Sequence, residues 1–206
     1  MNFLAHIYLS GDNEPLMLGN FIADTVKGKQ IEKYSSGIQQ GIRLHRLIDE
    51  FTDKHPVVLQ SKERLYARHH KFAGVIVDIL YDHFLAKDFA NYSSVMLPEY
   101  ARNVYRVVLR NYLILPARSQ RIIPFLMMQN WLTGYADLVR LQRIFENMSR
   151  RSQFESGMEV AVESLQKNYE LFQQEFDLYF PQLIRFCEEQ QSTLFLRDEE
   201  KSGDRN

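Results

Sequence analysis

Two kinds of side chain that bind divalent cations crowd the front of this chain. All six histidines fall within the first 83 of its 206 residues, interleaved with Asp24, Asp49, Asp53, Asp78 and Asp82. In GIRLHRLIDEFTDKHP, His45, Asp49 and Asp53 stand at i, i+4 and i+8, with Arg46 three residues before Asp49. Helical spacing places these four on one broad face. In AGVIVDILYDHFLA, Asp78 and Asp82 are again four apart, followed by His83, in a run otherwise almost wholly apolar. LGNFIADTVKG adds Asn20 and Asp24 at the same spacing. A carboxylate in apolar surroundings costs on the order of several kcal/mol unless it is paired or protonated. A buried ion-pair network with Arg43 or Arg46 accounts for any one of these acids. Two arginines cannot neutralise all five, and neutral imidazoles add ligands without adding charge. One divalent cation answers the whole group.

Imidazole and carboxylate without thiolate is a ligand set for manganese, iron or magnesium. Such a cation lowers the pKa of a bound water and polarises a phosphoryl oxygen, and Arg46, with Asn20, is placed to hold a phosphate. Hydrolysis of a phosphate ester is the natural chemistry. No serine lies in a strand-to-helix elbow, which disfavours a Ser/His/Asp triad. Of the remaining histidines, His6 in FLAHIYL reads as a core residue, His69 and His70 read as exposed helix caps, and His55 before Pro56 fits either setting.

The elements that must position these groups are helices. Apolar residues recur at three and four, no alternating stretch bounded by hairpin turns occurs, and sparse Gly, Pro and Asn mark the boundaries. The expected fold is all-α, a single-domain bundle of about seven helices near 15–27, 37–54, 57–69, 72–88, 98–115, 120–151 with a break at Gly134, and 156–195 with a break at Pro181. Leu165, Tyr169, Phe172, Phe176 and Tyr179 form a core stripe in the last. Residues 1–196 make the domain. The tail 197–206, RDEEKSGDRN, has no apolar residue and is expected to be disordered.

Composition narrows the class further. A single cysteine, Cys187, excludes an internal disulfide framework and favours the cytoplasm, and no signal peptide or membrane span is apparent. The formal net charge of −1 hides a segregation. Residues 101–151 hold nine Arg, no Lys and two acids, a net of +7, whereas residues 152–206 hold five basic and twelve acidic residues, a net of −7. The Arg block either pairs with the acidic C-terminal helix or meets an anionic partner. Scarce Lys and a slightly negative chain argue against nucleic acid.

MNFLAHIYLS, LGNFIADTVKG, GIRLHRLIDEFTDKHP and VDILYDHFLA together resemble the acyl carrier protein phosphodiesterase family, densely over the first 90 residues and more loosely to about residue 180. The resemblance implies an HD-phosphohydrolase-like helical fold, although His45-Arg46 and Asp82-His83 stand where an orthodox HD protein has adjacent His-Asp. It implies manganese as the usual metal and cleavage of 4′-phosphopantetheine from the serine of holo acyl carrier protein. On this footing Asp24, His45, Asp78 and Asp82 are assigned to the metal, with His6 a further ligand. Asp49 orients an imidazole, His83 transfers a proton and Arg46 contacts phosphate. Acyl carrier proteins are small and acidic, which supplies a partner for the Arg block, with Tyr105, Tyr112, Met127, Met128 and Trp131 as apolar contacts or core. Two other readings remain open: a metal-dependent phosphohydrolase for a nucleotide or other small phosphoester, and a non-catalytic helical protein that binds an acidic partner.

Overall fold

The computed structural model describes residues 2–203, with side chains described to Leu194, and within that range every regular element is helical. Eleven α-helices replace the expected seven among the described residues: α1 Phe3–Tyr8, α2 Glu14–Ile22, α3 Ser36–Lys54, α4 Pro56–His69, α5 Ala73–Lys87, α6 Leu97–Arg110, α7 Ala117–Met128, α8 Trp131–Gly134, α9 Leu138–Arg151, α10 Ala161–Lys167 and α11 Tyr169–Gly203.

The three long helices of the site and its floor, α3, α4 and α5, begin and end within a residue of expectation. The differences have local causes. The six-residue α1 is too short to hold itself in water. It forms because the Asn2 side chain and the Asp82 carboxylate together accept the N–H groups of its first turn. The stretch 98–151 breaks further at residues 111–116 and at Asn130, a left-handed residue between α7 and α8. Pro181, by contrast, does not interrupt α11. It and Asp177, whose carbonyl it leaves without a donor, are both exposed to water. The helical backbone of α11 is described as far as Gly203. Residues 204–206 lie outside the described residues.

The core runs along α11, whose Phe172, Phe176, Tyr179, Phe180 and Leu183 are fully buried against α3, α4 and α5. A buried polar tie crosses it. Arg64 holds Glu175 with two hydrogen bonds of 2.7 Å each, and the Ser61 hydroxyl donates to the same carboxylate at 2.5 Å. His69 is buried, not an exposed cap, with Nε2 2.9 Å from Ser164 Oγ, because α10 folds back over the end of α4. His70 alone fits the exposed expectation. The nine arginines of 101–151 are all exposed, and the two ion pairs made by described acids beyond residue 152 go to arginines outside that block, Arg64 with Glu175 and Arg68 with Glu163. Within the block the one ion pair among the described residues is Arg110 with Glu14. No described helix is long and apolar enough to cross a membrane.

Candidate metal centre

Two glycines bring the site together. A methyl at Gly19 would stand 2.0 Å from the Ile38 carbonyl oxygen, and one at Gly41 would stand 2.0 Å from that of Leu16. α2 and α3 therefore cross with backbones in contact, close enough for Asn20 on the first to bond His45 on the second. α1 lies across α2 and presents His6 to the same point.

Asn20, 1% exposed, organises both imidazoles. Its Nδ2 donates to the His6 carbonyl at 2.7 Å and to Ser10 Oγ at 3.0 Å, which fixes the orientation of the amide. Its Oδ1 then accepts from His6 Nδ1 at 2.9 Å and from His45 Nδ1 at 3.0 Å, and its backbone carbonyl lies 2.9 Å from the latter. Carbonyl oxygens only accept, so both Nδ1 atoms carry hydrogen. In the neutral rings both Nε2 lone pairs are thereby aimed the other way. The rings stack at 3.9 Å.

What those lone pairs face is carboxylate. His6 Nε2 lies 3.2 Å from Asp49 Oδ1, and His45 Nε2 lies 3.3 Å from both Asp49 Oδ2 and Asp24 Oδ1. His6 Nε2 is buried and makes no hydrogen bond of acceptable geometry. Acceptor against acceptor is repulsive, so a proton or a metal cation belongs between them. Burial and then the neighbouring His45 lower the pKa of His6 to about 4, leaving it neutral at physiological pH. Burial also opposes charge on His45, but the Asp24 and Asp49 carboxylates outweigh it and raise that pKa to about 9. Asp49 is held well below the usual carboxylate range: burial opposes ionisation, and the two imidazoles overcome it. His6, His45 and Asp49 offer ligand atoms within 4.8 Å of one another, and Asp24 adds a fourth. An acidic nitrogen-and-oxygen set with tautomers fixed from behind fits a borderline or hard divalent cation.

The cleft above this group has a volume of about 230 Å³ and is lined by Asn2, Phe3, Phe21, Thr52, Asp53 and Asp78 besides the residues already named. Asp53 spends its charge on Lys62 at 2.7 Å. Asp78 is on the cleft wall but outside the clustered group.

Five of the sequence assignments change place or role. Asp82, one turn beyond Asp78, is fully buried beneath α1, where Leu4 N at 2.8 Å, Ala5 N at 3.2 Å and Asn2 N at 3.3 Å donate to it. It anchors the helix that carries His6 and does not line the cleft. Burial raises its pKa to about 7 against those N–H donors. His83 points away from the cluster, between the Tyr135 carbonyl at 2.7 Å and Tyr169 Oη at 2.9 Å. Asn20 has both amide hydrogens committed and none for a phosphate. Arg46 is exposed, its guanidinium 3.4 Å from the Val26 carbonyl, and does not line the cleft. Asp49, assigned to orient an imidazole, instead faces both Nε2 atoms. The sequence reading overlooked Ser10, whose signal is its place four residues after His6, and Gly19 and Gly41, which no chemical motif marks.

The family model described as acyl carrier protein phosphodiesterase matches residues 1–183. Curated relatives carrying that name include a protein of Photorhabdus laumondii, 31% identical over 91% of this chain and 96% of its own length. A protein of Yersinia enterocolitica is 29% identical over 93% and 100%, and one of Serratia proteamaculans 27% identical over the same shares. No solved structure matches the chain.

Proposed function

Because the chain belongs to the acyl carrier protein phosphodiesterase family, we propose that it hydrolyses the phosphodiester between 4′-phosphopantetheine and the serine of holo acyl carrier protein, using a divalent cation held by His6, His45, Asp49 and Asp24. Manganese is the first choice, with magnesium and iron as alternatives. The observation that carries this reading is the pair of imidazoles anchored at Nδ1 with Nε2 turned onto shared carboxylates. A cation bound there supplies a water of lowered pKa and a positive charge against the phosphoryl oxygens. The acids Asp24, Asp49 and Asp78 around the cleft would otherwise repel a phosphodiester anion.

The chain's own groups perform the rest. Asn20 holds both imidazoles in the tautomer that leaves Nε2 free, and Asp82 holds α1 so that His6 meets His45 face to face. Asp78, on the cleft wall, takes the role of proton acceptor from the attacking water, which His83 is too enclosed to fill. The water oxygen bonds to phosphorus as the phosphorus–serine oxygen bond breaks. The serine oxygen takes the proton that Asp78 removed from the water, giving apo acyl carrier protein and 4′-phosphopantetheine. The lone buried thiol of Cys187 suits a reducing cytoplasm.

Intact mass spectrometry of holo acyl carrier protein incubated with the enzyme and Mn²⁺ tests the proposal. Loss of the phosphopantetheine mass is expected, absent with EDTA and in Asp24→Ala and His6→Ala. An unchanged carrier mass, alongside turnover of free nucleotides, would move the assignment to a small phosphoester.

A further inference from the structure

The cleft cannot admit a folded protein, so a substrate attached to one must be presented from the rim. That rim has two characters. On α3 and α5 it is acidic, through Asp49 and Asp78, with Asp53 paired to Lys62. Beyond Asp24 it is α7: Thr25, the residue after Asp24, bonds Ser119 side chain to side chain at 2.9 Å. Ser119, Ile123 and Leu126 bury the inner face of that helix. Its outer face is a single stripe at intervals of three, four and three, made of Arg118, Arg121, Phe125 and Met128, all exposed. Phe125 is 52% and Met128 85% exposed, and Leu113, in the turn that Gln120 ties to the start of α7, is 90% exposed. Neither arginine has an ion pair among the described residues. From residue 101 to 136 the chain has five Arg and no acid or Lys.

We propose that the outer face of α7 is the docking surface that seats the carrier protein at the mouth of the cleft, taking an acidic surface on Arg118 and Arg121 and an apolar side chain of it on Phe125 and Met128. This rests on the proposed function for the identity of the partner. Charge complementarity selects the occupant: α7 is the cationic side of an otherwise anionic rim, so an acidic protein settles there and is repelled elsewhere. Large apolar side chains left in water beside unpaired arginines have the composition of an interface core with a charged border.

The test uses fluorescently labelled apo acyl carrier protein, which docks but has no bond to cleave. Its Kd is measured by anisotropy for the wild type, Arg118→Glu/Arg121→Glu, Phe125→Ser/Met128→Ser and a control, Arg150→Glu/Arg151→Glu, at the end of α9. Both α7 pairs are expected to weaken binding about tenfold or more, and the control to change it little. Hydrolysis of bis(p-nitrophenyl) phosphate with Mn²⁺ should be the same in all four proteins. No binding by the wild type, no effect of the α7 pairs, or an equal effect of the control pair overturns the surface. So does loss of small-diester hydrolysis in the arginine pair, which would place those groups in the cleft. A carrier that binds as expected and is not cleaved leaves the surface standing and removes the phosphodiesterase reading. Cleavage with unchanged Kd does the reverse.

Discussion

Neither imidazole of the site has freedom to choose its tautomer. Asn20 supplies the acceptors behind both Nδ1 atoms, so Asn20→Ala should free the His6 ring, leave His45 held by the backbone carbonyl alone, and weaken Mn²⁺ binding by roughly 10–100-fold, read by isothermal titration calorimetry. Wild-type affinity in that variant would mean that packing alone orients them. The protonation states give a second expectation. His45, with a pKa raised to about 9, carries a proton at pH 7 that must leave before Nε2 can bind a metal, whereas His6, lowered to about 4, has none to lose. Metal binding should therefore release a proton at neutral pH, and Mn²⁺ affinity should climb with pH and level off above about 9. Calorimetry in buffers of different ionisation enthalpy counts that proton. A heat of binding independent of buffer would show that His45 is already neutral.

At the level of elements, the site depends on two contacts with no chemistry of their own. Gly41→Ala would drive a methyl to 2.0 Å from the Leu16 carbonyl, and both partners are backbone, so the helices must part. Overpacking of this kind costs about 1–3 kcal/mol, and here it also draws Asn20 away from His45. Urea denaturation should show the loss, with weakened metal binding in the fraction that stays folded. The second contact is the seat of α1 on Asp82. Asp82→Ala leaves buried N–H groups without an acceptor, at about 1–3 kcal/mol each, yet removes no residue from the Nε2 cluster. It should lower stability while preserving the number of Mn²⁺ ions bound. A lost ion in folded protein would return Asp82 to the ligand set.

Across the whole molecule, the partly buried Arg64–Glu175 pair joins α4 to α11 outside the residues that line the cleft. Glu175→Ala strands a partly buried guanidinium and the Ser61 hydroxyl, and should cost about 3–5 kcal/mol in chemical denaturation. The turnover number of the protein that remains folded should be unchanged. Charge is segregated on the same scale, with the Arg block exposed and making no ion pair with the described C-terminal acids. Steering of an acidic carrier by such a field is screened over about 10 Å at 0.1 M salt. kcat/KM for the carrier should fall with ionic strength while that for a small diester stays nearly flat. Parallel curves would assign the salt effect to the cleft itself.

The all-α class, the bounds of α3, α4 and α5 and the membership of His45, Asp49 and Asp24 in one neighbourhood were legible in the residues, because helical period and i, i+4 spacing are local properties of a chain. The family was legible too, from ordered motifs beginning at Met1. Roles were not. Asp78 and Asp82 share a face of α5 and look alike in the sequence, but α1 crosses above one of them, turning it into an anchor and leaving the other in the cleft. His6 reads as core because its neighbours are apolar, and it is buried; only the crossing of α1 over α2 and α3 reveals that its ring is stacked on His45 and faces Asp49. His45 and Arg46 are adjacent in sequence, yet one is buried and the other exposed, since a step of about 100° around a helix separates core from solvent. Spacing within a helix determines which side chains share its face. Which face meets a neighbour, and at what distance, is decided by glycines at a crossing and by caps supplied from residues some eighty positions away.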